Sequence, residues 1–365
     1  MTAEQDQFAA ALHDLLTAAD VPAAARRWAA GDRAPGLALW RQLAGLGLTA
    51  LAVPQRYNGL GATPADIIVG CEELGHHALP GPAAESLAAV PLLLAALLER
   101  DLADERLCAG WLRRLAAGDL IATLARPPWL PYAADADAAD LLLLVEDGLV
   151  RLATAGARHP SVDAARSLFE VRGGQVLARG PAAADAAALA LYAGTLASAA
   201  QLLGAGRALL EASVRHARQR VQFGRPIGAF QAVKHRLADV AIALEFARPL
   251  LDAAAVTLRD AADPAAADRE AAADRGAADP GAAADPGATV DPGTTVARDV
   301  SAAKVACADA AYLASRVALQ VHGAIGYTGE HDLSLWLTKV RALVPAWGTQ
   351  AEHRAVVMAA LADRP

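Results

Sequence analysis

Four stretches of the chain hold side chains that could do chemistry. Residues 220–231 read Arg-Val-Gln-Phe-Gly-Arg-Pro-Ile-Gly-Ala-Phe-Gln. Arg220 offers a permanently charged, planar fork suited to a pyrophosphate. Gln222 and Gln231 supply amide donors and acceptors for ribose or phosphate, and Phe223 presents a ring face. Gly224 lets backbone approach closely, and Pro226 fixes a turn before a helix that starts near Phe230. A second stretch, Gln320-Val-His-Gly-Ala-Ile-Gly-Tyr-Thr328, closes a helix with a turn of low bulk at Gly323 and Gly326, where an adenosine could lie. The third, Ala346-Trp347-Gly348-Thr349-Gln350, carries no acid or base: the Trp347 indole donates a hydrogen bond but accepts no proton. The fourth is the pair His76-His77. Adjacent helical residues point in different directions, and no third ligand at metal spacing accompanies them, so no metal is expected.

The elements that must position these residues are mostly helices. The chain has 365 residues, 55% of them apolar and 4% aromatic, a composition that favours packed helices over sheet. Residues 1–118 read as helices with short breaks; Thr63-Pro64-Ala65-Asp66 is an N-cap with proline at the first helical position. Residues 119–182 change to short apolar runs between turn residues: Leu120–Leu124, Leu141–Val145, Leu149–Ala153, Leu168–Val171 and Gln175–Ala178, the pattern of a small sheet. From Ala183 helices return. Residues 186–219 form one long helix or two, and Phe230–Leu258, Ala302–His322 and Glu352–Leu361 complete a bundle. Residues 259–298 hold Asp-Pro four times and read as a flexible insertion between two bundle helices.

Composition excludes several classes. A net charge of −7 argues against nucleic acid or an anionic membrane as partner. Cys71, Cys108 and Cys307 form no CxxC pair and read as reduced, buried thiols of a cytoplasmic protein. The acidic, polar N-terminus shows no signal peptide. The uncharged run 186–206 is long enough to span a bilayer but contains Thr195, Ser198 and Gln201, and reads as a buried bundle helix.

The segment 220–239 resembles the FAD-contacting segment of the acyl-CoA dehydrogenase family almost position for position. Residues 320–328 resemble that family's Gln-Val-His-Gly-Gly-x-Gly-Tyr-Thr segment, with Ala324 in place of a glycine, and Leu39–His77 resemble its N-terminal helical domain. The resemblance implies a mainly α fold with an N-terminal helical domain, a middle β-domain and a C-terminal four-helix bundle, here with the β-domain reduced. It implies FAD held at a dimer interface. Arg220, Gln222, Phe223, Gln231, Gln320 and Gly323 would then reach the nucleotide end of a flavin held mainly by the neighbouring chain, and Gly348-Thr349 would match the family's flavin-side segment.

The family removes an α-proton from an acyl-CoA with a carboxylate and passes a hydride to flavin. The carboxylate normally stands in a Tyr-Glu-Gly-Thr segment, where this chain has Trp347. Some members carry it on the helix before the arginine motif, a position that falls on Gly194, followed by Thr195. Glu211, Glu245 and Glu352 remain as candidates for a relocated base. The strand segments that hold the flavin ring are also depleted around Ala122–Pro128. The part that would serve a partner's flavin is therefore kept, and the part that would serve its own is degraded. The expected role is that of a non-catalytic subunit of a hetero-oligomeric acyl-CoA dehydrogenase, a dimer of heterodimers, as in actinobacterial enzymes acting on CoA thioesters of steroid side chains. Electron-transfer flavoprotein is a candidate further partner. The alternatives are a self-sufficient homo-oligomer with a relocated base and a flavin-free scaffold.

Overall fold

The computed structural model describes residues 2–146, 148–262, 292–329 and 331–362. Six helices come first: α1 (Ala3–Ala18), α2 (Val21–Ala29), α3 (Ala34–Gly45), α4 (Pro64–His76), α5 (Val90–Glu99) and α6 (Glu105–Ala117). Their starts are written in local chemistry. The Thr2 hydroxyl accepts from the Gln5 amide, and Asp20 and Asp104 cap α2 and α6 the same way. At α4, Asp66 reaches back to the Thr63 backbone N–H at 2.9 Å, with Pro64 as first helical residue, as the sequence predicts.

A five-stranded sheet follows, with β1 (Ala122–Ala125), β2 (Ala133–Ala134), β3 (Leu141–Glu146), β4 (Leu149–His159) and β5 (Leu168–Arg179) in the order β1-β3-β4-β5-β2. Only β1 and β3 pair in parallel. Two of the expected strands, Leu168–Val171 and Gln175–Ala178, are one: the strand runs on through Gly173-Gly174, with register shifts against β4. The glycines mark irregular pairing rather than a turn.

The C-terminal part is α7 (Pro181–Gln219), α8 (Gln231–Ala262), α9 (Pro292–His322), α10 (Leu333–Leu343) and α11 (Gln350–Ala362). The stretch 186–219 is a single helix of 39 residues when its first turn is included. The sequence missed α10, and it put the edges of the 259–298 insertion too wide: α8 extends to Ala262 and α9 begins at Pro292. Residues 263–291 lie outside the described residues. Apolar spacing outlasts the Asp-Pro pattern at both ends, so the helices run closer together than composition suggests.

α7 is the central helix, packed against α4, α8 and α9. Its glycines allow backbone contact. A Cβ at Gly204 would stand 1.9 Å from the Glu72 carbonyl oxygen, and one at Gly75 on α4 would stand 2.0 Å from that of Gln201. Where α4 and α7 cross, only glycine fits on either side. α7 is also apolar and long enough to cross a membrane, but 78% of its most apolar 18-residue window is buried by the rest of the chain. Cys71, Cys108 and Cys307 are buried and unpaired, their thiols pushed up by burial, to about 12 for Cys71 and Cys307.

Candidate functional site

α7 ends at Gln219, and the chain turns into a two-stranded hairpin, β6 (Val221–Gln222) and β7 (Arg225–Pro226). Its loop residues, Phe223 and Gly224, both have positive φ, 52° and 78°. That pair of angles suits a two-residue hairpin turn, but for phenylalanine it is a strained conformation. Phe223 is 92% exposed and meets the Phe230 ring edge-on, with centroids 6.2 Å apart. The hairpin is braced at its base, where the Ile227 N–H donates to the Arg220 carbonyl at 2.8 Å. Arg225 lies 4.2 Å over the Phe230 ring. Arg220, Gln222, Phe223 and Gln231 are all exposed. They form an arm standing off the bundle.

The second motif comes to the same end of the molecule. His322 is buried, donates from Nδ1 to the Ala318 carbonyl at 2.8 Å, and stacks its ring on that of His216 with centroids 4.3 Å apart. His216 also accepts the Arg220 N–H on its carbonyl. The imidazole pair thus ties the end of α9 to the end of α7. Gln320 and Gly323 stand exposed beside it, Gly323 with φ of 65° and open space where a Cβ would be. His322 is the last residue of α9, its ring held by the Ala318 carbonyl and the His216 stack. Two segments a hundred residues apart are one surface, cationic and aromatic on the arm and bare of side chain on the turn. That suits the nucleotide end of a cofactor brought by another body.

The third motif is buried. Trp347 is 1% exposed and has φ of 63°. His353 on α11 holds the turn: its Nε2–H donates to the Trp347 carbonyl at 2.9 Å, and the Ser301 hydroxyl donates to its Nδ1 at 3.0 Å. The outer edge of the indole's six-membered ring packs on Gly194 of α7, where a Cβ would come within 2.1 Å of it. The two positions at which a base was sought are therefore in contact with each other. One is filled by indole, and the other must stay bare for the indole to fit. Trp347 lines a cavity of about 20 Å³ with Gly81, Glu85, Arg166, Gln201 and Lys339 among others, while a wider cleft of about 380 Å³, lined by Trp129, Arg166, Arg341 and Ala346 among others, adjoins the turn without reaching Trp347 or Gly194. The cavity at Trp347 accommodates about one water and no acyl chain.

Of the candidate relocated bases, none faces this cavity. Glu352 is a cap: its carboxylate accepts from the Thr349 N–H at 2.7 Å and hydroxyl at 2.8 Å, which hold it below the usual carboxylate range. Thr349 itself is thus committed to starting α11. Glu211 bonds His76 at 3.1 Å, which lowers its carboxyl. Glu245 lies exposed on α8. The carboxylate the sequence reading missed is Glu85. Burial pushes it up, against Arg166 and a hydrogen bond from Trp347 that pull it down, and one of its oxygens has no partner among the described residues. Glu85 opens a π-helical stretch, Glu85–Ala89, and nothing in the local sequence pattern marks it.

The reading of His76 and His77 needs correcting. His77 is not a helical residue but the C-cap of α4, so its ring swings back to a centroid distance of 4.9 Å from that of His76. α1 brings His13 to 3.2 Å from both His77 and Glu73, completing a four-residue group. Burial and the neighbouring His76 and His13 hold His77 neutral, down to about 3. The signal was not local: His13 is sixty residues away, and only the packing of α1 on α4 brings it in.

A bundle of long helices around an alanine-rich central helix, preceded by a helical unit and a small sheet, with a basic arm at the bundle's end, defines the acyl-CoA dehydrogenase type of fold. Comparison with known proteins agrees. The family description "acyl-CoA dehydrogenase, N-terminal domain" matches residues 2–119, and "acyl-CoA dehydrogenase, C-terminal domain" matches 184–274 and 282–362. The acyl-CoA dehydrogenase IpdE2 of Mycobacterium tuberculosis is 30% identical over 324 residues, 87% of this chain and 85% of its own. IpdE2 of Mycolicibacterium smegmatis is 29% identical over 321 residues, 86% and 85% of the two chains. Among solved structures, a chain of the ChsE4-ChsE5 complex from Mycobacterium tuberculosis matches with a TM-score of 0.77 at 22% identity, over 100% of this chain and 99% of that one. Butyryl-CoA dehydrogenase from Megasphaera elsdenii matches with a TM-score of 0.76 at 20% identity, over 99% of each. The chain belongs to the acyl-CoA dehydrogenase family, whose cofactor is FAD.

Proposed function

We propose that this chain is the non-catalytic subunit of a hetero-oligomeric acyl-CoA dehydrogenase, and that it completes the FAD site of a catalytic partner. The observation that carries the reading is the contrast between the two ends of the site. Trp347 seals the base position against Gly194, while Arg220, Gln222, Phe223, Gln231, Gln320 and Gly323 stand exposed at the end of the bundle. An arm with a strained, solvent-facing phenylalanine costs the free chain stability, and gains from a second body that covers it. α8, which begins directly after the arm, adds an exposed apolar stripe, Ile242, Phe246 and Leu250, at four-residue spacing on one helix face. Arm and stripe together are the surface offered to the partner.

FAD supplies the hydride acceptor when bound. Arg220 would pair with its pyrophosphate, Gln222 and Gln231 would bond ribose and phosphate oxygens, and Phe223 would pack against a ring. Gly323 would admit the adenosine. The acyl-CoA, its base and the flavin ring belong to the partner. The described residues of 1–118 and 183–365 then form the helical framework, and those of 119–182 the reduced sheet between them. The assembly is a cytoplasmic dimer of heterodimers acting on a bulky acyl-CoA of steroid type, since the cavity of about 20 Å³ at Trp347 leaves the acyl group to the other subunit. Electron-transfer flavoprotein is the electron acceptor in this scheme.

The first test is the visible spectrum of the chain expressed alone and with a catalytic relative from the same genome. The expected result is a colourless chain alone and a yellow, active complex with the partner. About one FAD per chain in the isolated protein overturns the half-site reading. Arg220→Ala should strip FAD from the complex; an unchanged flavin content favours a flavin-free scaffold.

A further inference from the structure

We propose that His13, Glu73, His76 and His77 form a site for one divalent ion of the zinc class, clamping α1 onto the C-terminal end of α4. One ligating atom from each of the four lies within 4.8 Å of those of the others. The two contacts of His13 Nδ1, with Glu73 Oε2 and with His77 Nε2, are both 3.2 Å. Ligand atoms about 2.0–2.1 Å from a tetrahedral ion stand roughly 3.3 Å apart, so these edges already have the right length.

Proton counting points the same way. A carboxylate oxygen only accepts, and a neutral imidazole nitrogen either donates or accepts. His13 Nδ1 cannot both donate in line to Glu73 and accept from His77. If it donates to Glu73, the lone pair or proton on His77 Nε2 faces an N–H that is already used. A cation among the three satisfies all of them at once.

A supporting layer is also in place. Glu211 on α7 bonds His76 Nε2 at 3.1 Å, which fixes the proton there and leaves Nδ1 as the free lone pair. His76 is 8% exposed, and that Nδ1 is buried with no hydrogen-bond partner among the described residues. A carboxylate behind a histidine whose other nitrogen is buried and unpaired is the arrangement in which metal-binding imidazoles are held. Glu73 is shared but not consumed: Arg207 lies 3.3 Å from Oε1, and Oε2 faces His13. A cavity of about 470 Å³, lined by His13, His76, His77, Glu211, His331 and Trp336 among others, gives the ion a path in. Three imidazoles and one carboxylate select a borderline divalent ion over magnesium or calcium. The inference stands apart from the flavin reading, since none of these residues belongs to the arm.

The test uses the full chain, freed of any affinity tag and stripped with chelator, then dialysed against buffered Zn²⁺ or Co²⁺. Expected are one equivalent per chain, the intense visible bands of four-coordinate Co²⁺, and a melting temperature that rises with Zn²⁺ and returns with chelator. His13→Gln, at a part-exposed position on the surface of α1, should fold with unchanged far-ultraviolet circular dichroism and lose the site. Glu211→Gln should keep the stoichiometry and weaken affinity about 10–100-fold. His235→Gln, exposed at the start of α8, should change nothing. The proposal is overturned by the absence of saturable binding, by a weak six-coordinate Co²⁺ spectrum, or by undiminished binding in His13→Gln, which would put the ion elsewhere.

Discussion

Trp347 does more than lack a carboxylate. Its indole takes the space above Gly194, so the two residues form one packing unit and must change together. Gly194→Ala puts a methyl group into the ring in a fully packed interior, where overpacking costs about 1–3 kcal/mol. In a Trp347→Ala background the same substitution should cost nothing, and helix propensity makes it favourable by up to about 1 kcal/mol. Chemical denaturation of the four proteins of this cycle measures the coupling; additive effects would mean that the contact is not the reason for the glycine. Phe223 shows the opposite case, a residue kept against the interest of the free chain. With φ of 52° and a side chain 92% exposed, its replacement by glycine should leave the stability of the isolated protein within about 1 kcal/mol, relief of the positive φ offsetting the lost edge-on contact with Phe230. The same Phe223→Gly should weaken FAD retention in the complex. Equal loss of stability and of flavin would instead assign Phe223 to the fold.

At the scale of elements, α11 carries the turn on which Trp347 sits. His353 grips the Trp347 carbonyl and Ser301, and burial, with Lys304 adding, depresses its imidazole to about 4. The unfolded chain's histidine titrates near 6.5. Above that pH His353 is neutral in both states and its bonds contribute fully. Between about 6.5 and 4 only the unfolded chain takes up the proton, so stability falls with pH at up to roughly 1.4 kcal/mol per unit, about 3 kcal/mol in all. Urea midpoints from pH 7 to 4 should show this fall, and His353→Gln should make it shallower; a parallel curve for the variant would place the acid sensitivity elsewhere. The long helices were legible because apolar period and caps are local: Thr63-Pro64-Ala65-Asp66 starts α4 as read. The ends of α8 and α9 were not, because Asp-Pro repeats outweigh a fading apolar stripe in any short window. The His13 group was illegible for a different reason. It depends on His77 leaving the helix as a cap and on α1 lying across α4, both tertiary facts.

At the scale of the whole molecule, the motif residues were legible because backbone geometry and nucleotide chemistry restrict what can stand there. Their convergence through the His216–His322 stack was not, since stacked imidazoles leave no periodic mark. The converging surface is one-sided. The arm, the Gly323 turn and the apolar stripe of α8 lie exposed, and the cavity lined by Trp347 measures only about 20 Å³. Under the proposed half-site role the arm works only when another chain covers it, and the flavin count follows from that. On the proposed reading two chains share each site, one giving the arm and one giving the ring pocket and base, so the purified complex should hold one FAD per two chains by absorbance and protein assay. Phe246→Asp, which puts a charge at the centre of the stripe on a residue 75% exposed in the free chain, should leave the isolated protein folded. In the complex the buried charge has no partner, so association should weaken by tenfold or more. Size-exclusion chromatography with light scattering would then show separate chains, with the flavin lost alongside. A variant that assembles normally would move the interface off α8 and leave the arm as the only contact to the partner's flavin.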